Sequence, residues 1–174
     1  MKNFTKLLAI AVVIFGFSAN SFGQATANAK GVIATALTLS IADGTDLNFG
    51  TILKTGAGTV SIDATTGTPT PSANVSVAGT SLAEFVVTGT PLDTYTISAI
   101  PDCVVGNGTT TDVMQVTGFN TNIGTEIGAG VLNEFGKQTI KVGATLNILV
   151  DTPSDTYSSA LGAGTKFTVT VNYN

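Results

Sequence analysis

The sequence predicts an all-β fold, an Ig-like antiparallel β-sandwich of about seven to nine strands. Apolar residues recur at every second position in stretches rich in threonine, valine and isoleucine, the period of a half-buried strand. Glycine, proline, asparagine and aspartate punctuate those stretches as turn residues do, and no stretch shows a convincing helical period. The composition agrees. Of 174 residues, 43% are hydrophobic and only 10% charged, a balance that supports a buried core and opposes disorder.

Taken in order, the first alternating segment sets Ala25, Ala27, Ala29, Ile33, Leu37, Leu39 and Ile41 on one parity, and Asp43-Gly44 ends it. Leu47 and Phe49 begin a second strand; Val60, Ile62 and Ala64 form a third, with a glycine-containing hairpin loop expected over Lys54 to Gly58. Thr65 to Ser72 reads as a Thr/Pro/Gly loop, because its prolines lack the ladder donor. Val75 and Val77 mark a short strand. Ala83, Phe85 and Val87 mark the next, and Tyr95, Ile97 and Ala99 another after the Gly89-Thr90-Pro91 turn. A polar loop is expected from Pro101 to Asp112, a strand near Val113–Phe119, and a long surface loop from Asn120 to Gly136. Ile140, Val142, Ala144, Leu146, Ile148 and Val150 then give the clearest alternation. After a loop from Asp151 to Thr165, Phe167, Val169, Val171 and Tyr173 form a closing strand.

Ahead of these elements stands an export leader. Lys2 and Lys6 supply a positive start, Leu7 to Phe17 an apolar run, and Ser21-Phe22-Gly23 the small residues of a cleavage site after Gly23. The run falls well short of the ~20 residues a membrane helix needs, no lipid-bearing cysteine follows it, and no later segment is apolar enough to span. The expected organisation is a signal peptide at 1–23 and one domain at 24–174, exported to the periplasm, cell surface or medium.

Composition excludes much chemistry. There is no histidine, no tryptophan and no arginine, and Cys103 is the only cysteine. Without histidine no Ser-His-Asp or Cys-His arrangement exists, and zinc loses its commonest nitrogen ligand. Five lysines stand against eleven acids after Gly23, and with no arginine fork the chain is not expected to bind nucleic acid. Glu126 and Glu134 share a loop but lack the aromatic platform of a glycosidase cleft. Asp43-Gly44-Thr45-Asp46 and Asp151 with Asp155 offer turn oxygens, yet neither matches a calcium loop. No catalytic residue, metal or cofactor is assigned, and the chain is expected not to be an enzyme. Cys103 beside Val104 and Val105 reads as a small hydrophobe at a strand end. Tyr95 and Tyr173 share the apolar parity of their strands; Tyr157 is the one ring expected in a loop.

Three stretches carry a resemblance: Asp46-Leu47-Asn48-Phe49-Gly50; Phe85-Val86-Val87-Thr88-Gly89-Thr90-Pro91 running on to Thr94-Tyr95-Thr96-Ile97; and Val142-Gly143-Ala144-Thr145-Leu146-Asn147 with Thr156-Tyr157 and Phe167 to Asn174. Together they resemble the secreted bacterial family called domain of unknown function 4402, over essentially the whole mature chain. That family in turn looks like fimbrial and spore-coat-type subunits, small exported β-sandwiches. The resemblance implies a structural or adhesive surface subunit, with self-association or a fimbrial chaperone and usher as partners. In pilins each subunit receives a strand from its neighbour's N-terminal arm, an instance of strand addition. The candidate assembly strands are Ala25, Ala27, Ala29 and Ile33 near the start, and Phe167, Val169, Val171 and Tyr173 at the end. The pilin disulfide is absent, and the glycine pilins carry before their C-terminus has no clean counterpart, although Gly162 and Gly164 lie close. Residues 25–41 therefore read either as a donor arm or as this domain's own first strand. A second class of function also stands: a monomeric binding module recognising carbohydrate or a partner protein through the 120–136 and Thr/Pro loops.

Overall fold

The computed structural model describes residues 28, 30–31, 33–42, 45–109, 111–125 and 129–174, with the side chains of 124 and 125 excepted. The expected leader lies outside the described residues, as do Ala25, Ala27, Ala29, Asp43, Gly44 and Glu126. The chain divides into two units, Met1–Ile33 and Ala34–Asn174. The second unit is the β-sandwich. Among its described residues there is no helix, and the strands are β1 (Thr38–Ile41), β2 (Thr51–Lys54), β3 (Gly58–Ile62), β4 (Pro69–Pro71), β5 (Val75–Ala78), β6 (Ala83–Thr88), β7 (Thr94–Ile97), β8 (Cys103–Gly106), β9 (Val113–Thr121), β10 (Gly124–Thr125), β11 (Ala129–Val131), β12 (Lys137–Ile148) and β13 (Val171–Tyr173). Every pairing is antiparallel.

The strongest alternation in the sequence makes the central strand. Ile140, Val142, Ala144, Leu146 and Ile148 of β12 are all buried, so one face of the strand is continuous core and the other carries Thr139, Lys141, Thr145 and Asn147. Its first half pairs with β6, from Lys137↔Thr88 to Val142↔Ala83. Its last four residues pair with β3, and the opposite edge takes β9. β6 and β3 therefore follow one another along a single edge of β12. β1 extends this sheet beyond β6, β4 beyond β3, and β8 and β10 flank β9.

The facing layer consists of two smaller sheets, β11-β7-β13 and β2-β5. Tyr95 and Ile97 of β7, Val75 of β5 and Val169 join the inner residues of β3, β6, β9 and β12 in one hydrophobic cluster. Phe167 seals it: its ring centroid lies 4.9 Å from that of Phe119 on β9 and 6.2 Å from that of Phe85 on β6. Edge-to-face and offset ring pairs of this kind add a little beyond the area they bury.

The strands are shorter and more numerous than the alternation suggests, and several boundaries move. Among the described residues of the long first segment only Thr38–Ile41 is strand, and Ile41 is exposed. Leu47 and Phe49 pack against the core around the isolated Asn48↔Ser81 bridge, and the second strand begins at Thr51. The hairpin expected over Lys54–Gly58 does not form, because β2 pairs with β5 while β3 joins β12 in the other layer. Gly58 marks the crossing: a Cβ there would collide with Ser72 and Val75. The stretch read as a polar loop at 101–112 holds β8, whose apolar Cys103 and Val105 face β9. The 120–136 stretch holds the end of β9, β10 and β11, and its Leu132 is fully buried. Ala99 is exposed, with Ile100 buried instead, and Val150 lies beyond the end of β12 in the open.

Candidate functional site

The C-terminal segment keeps its period of two although only its last part pairs. Phe167, Val171 and Tyr173 are half-buried and Val169 is buried, whereas Lys166, Thr168, Thr170 and Asn172 are exposed. All four apolar positions thus face the core. The backbone alternates in the orthogonal direction. Asn172 is in register with Thr96, Ser98 N–H donates to Thr170 O at 2.9 Å, and Asn174 N–H donates to Thr94 O at 3.4 Å. In an antiparallel ladder the residues that exchange bonds alternate with residues whose N–H and C=O point away. Residues 170, 172 and 174 therefore face β7, and Val169, Val171 and Tyr173 aim their backbone groups at the other edge. No hydrogen bond of the described residues fills that edge. Among the described residues, 166–169 have no backbone partner on either side, because opposite them β7 has ended and the chain turns off through Ala99, Ile100 and Pro101.

The segment thus buries alternate side chains while, among the described residues, no strand lies beside its outer edge. Native sheets ordinarily cover such an edge, or blunt it with charge or proline; here Lys166 stands at one end and neither device occupies 167–173.

One end of the segment is fixed. The Tyr173 hydroxyl donates to Thr35 O at 2.7 Å and accepts from Thr90 N–H at 2.8 Å, while Thr35 N–H donates to Thr90 Oγ1 at 2.9 Å. Gly89 makes room for this hydroxyl, since a Cβ there would strike it. The penultimate residue thereby ties the point where the chain enters the sandwich to the β6–β7 connection. Composition gave no hint of this latch; threonines at 35 and 90 carry no pattern that sets them apart from the many others. Upstream of it Ile33, the one described member of the candidate donor set, is fully exposed.

Other residues singled out by sequence take structural places. Cys103 is buried at the start of β8, and burial, with Asp102 nearby, pushes its thiol above the usual range, away from nucleophilic use. The Tyr157 ring is half-buried, packs on the core and donates its hydroxyl to Pro153 O at 3.1 Å; burial and then Asp112 and Asp155 raise its pKa. Asp155 lies beside Asn107: Asn107 Nδ2 is 3.2 Å from Asp155 Oδ2 and 3.5 Å from Asp112 Oδ2. Among the described residues no three acidic, cysteine or histidine side chains are grouped to hold a metal. Among the described residues no helix is long and apolar enough to cross a membrane.

The model of the family described as a domain of unknown function (DUF4402) matches residues 39–173. The chain belongs to that family. The match begins within β1 and ends at Tyr173, so it covers the sandwich together with its C-terminal edge segment. No curated protein and no solved structure matches the chain.

Proposed function

We propose that this chain is an exported, non-enzymatic structural or adhesive surface subunit of fimbrial type that assembles by strand addition. Residues 24–33, freed when the leader is cut after Gly23, donate; the outer edge of residues 167–173 accepts. The observation that supports this most is that edge, an extended run with core-facing side chains and outward backbone groups that no described residue satisfies. Strand addition draws affinity from main-chain hydrogen bonds and specificity from alternate side chains. A donor bearing Ala25, Ala27, Ala29 and Ile33 on one parity fits a slot with little depth to fill, as the sandwich already holds Phe167 and Val169 inside. Apolar burial by alanine is small, so the ladder bonds carry most of the affinity. Before assembly the same edge is open to any neighbour, which is the reason to expect a periplasmic chaperone and an outer-membrane usher as transient partners.

A synthetic peptide of residues 24–33 added to the sandwich of residues 34–174 tests the pairing. Binding is expected to raise the melting temperature in proportion to occupancy. Val171→Pro removes one outward N–H and leaves the bonds from 170, 172 and 174 to β7 in place, a position where an edge strand tolerates proline. It is expected to abolish peptide binding while the sandwich itself still melts cooperatively. A peptide that leaves the parent sandwich's melting unchanged at millimolar concentration would sink the assignment.

A further inference from the structure

Three exposed apolar side chains crowd one tip of the sandwich. Thr90-Pro91-Leu92-Asp93 is a tight turn closed by Asp93 N–H donating to Thr90 O at 3.3 Å, and Leu92 sits at its third position with φ +66°. That geometry is the province of glycine, and a bulky residue there is an outlier held against its preference. Leu92 is nevertheless 69% exposed, so no core contact of its own compensates the strain. The neighbouring turn at 133–136 is tied to it. Leu92 N–H donates to Asn133 O, Leu132 N–H to Asp93 O and Gly89 N–H to Gly136 O. Asn133 Oδ1 accepts from the N–H groups of both Phe135 and Lys137 at 2.9 Å, fixing the turn that presents Phe135 to solvent at 75% exposure. Val131, on the edge strand β11 beside them, is 53% exposed. Two braced turns, one of them strained, thus display a leucine and a phenylalanine outward.

This tip is also where the chain enters the sandwich, since Thr35 is bonded to Thr90. Resting on the strand-addition reading, the length of the arm then says what meets the tip. Residues 24–33 are ten in number, and seven of them are needed to run opposite 167–173. Between that run and Ala34 at most three residues remain, fewer where Ile33 itself belongs to the run, so the connection spans at most ~10 Å. A linker that short cannot hold two sandwiches apart. We infer that the Leu92–Val131–Phe135 tip is seated on the second copy of this chain that receives the arm, forming an apolar footing that joins and stiffens the connection between successive subunits.

The test uses the mature chain, residues 24–174, beside its Leu92→Gly/Phe135→Ser variant. Glycine suits the positive φ and Phe135 contributes little to the core, so the variant is expected to melt no lower than the parent by circular dichroism. Light scattering is expected to show a rise of at least tenfold in the concentration needed for half-assembly. In negative stain the filaments should bend more sharply, while SDS-resistant arm-linked oligomers still form at high concentration. An unchanged concentration dependence and unchanged stiffness would overturn the footing and leave strand addition standing. A parent that stays monomeric at every concentration would remove strand addition, and the footing with it.

Discussion

At the scale of single residues, the core's polar exceptions are the informative ones. Tyr95 is fully buried, yet its hydroxyl donates to Gln138 Oε1 at 2.9 Å, and Gly130 on β11 lies flat against its ring. Burial pushes this phenol up to about 12. The unfolded chain titrates it near its ordinary value of about 10. Between those pH values the folded state holds a proton the unfolded state has lost, so the contribution is complete below about pH 10 and drains away as pH rises towards about 12. Urea denaturation across pH 8–12 should show that alkaline decline, and Tyr95→Phe should flatten it while costing about 1 kcal/mol at neutral pH through the lost hydrogen bond. A Tyr95→Phe protein with an identical alkaline slope would show that another group governs it. The burial of Tyr95 was legible from its parity alone. The turn after Gly89-Thr90-Pro91 was legible too, but the positive φ at Leu92 was not, because sequence rules place glycine where a positive φ is needed, and a leucine there gives no signal.

At the scale of elements, β9 and β12 show why alternation located strands better than it located their ends. On β9, Met114 and Val116 face inward, and so do Phe119 and Thr121, which lie on the other parity. The register shift between Gly143 and Thr145, with Gly118 at φ +60°, is a β-bulge that absorbs the extra residue. A period count cannot follow a strand through such a shift. The same place draws three strands together. The Asn120 side chain accepts from Ala64 N–H at 2.7 Å and donates to Ile62 O at 3.3 Å, continuing β3 where its ladder stops. Gly143 permits this approach, for a Cβ there would collide with Ile62 O. Gly143→Ala is therefore expected to destabilise the fold by more than about 2 kcal/mol, beyond the usual cost of a surface change. Asn120→Ala should cost about 1–3 kcal/mol by orphaning two backbone groups. Denaturation midpoints at constant m-value would check both. Short strands such as β8, β10 and β11 escaped notice for a related reason: two to four residues between polar turns are too few to display a period.

At the scale of the whole molecule, the residues from Ala34 onward supply every strand described, and the family match begins only at residue 39. Of the 25–41 segment, ambiguous in sequence between donor arm and first strand, Thr38–Ile41 pairs with β6 as the sandwich's own β1, and Ile33, the one described member of the candidate donor set, is exposed. The C-terminal half of the candidate site was visible as alternation at 167, 169, 171 and 173. Its open edge was not, because hydrogen-bond direction depends on which neighbour is present, and one sequence does not say where β7 ends. The central claim is that the arm before Ala34 fills this edge on another copy. Multi-angle light scattering after size-exclusion chromatography, comparing mature residues 24–174 with residues 34–174, tests it most directly. Oligomers are expected for the longer chain, and a folded monomer of similar melting temperature for the shorter one. A longer chain that runs as a stable monomer, with a shorter one that unfolds, would contradict it and return residues 24–33 to their own sandwich.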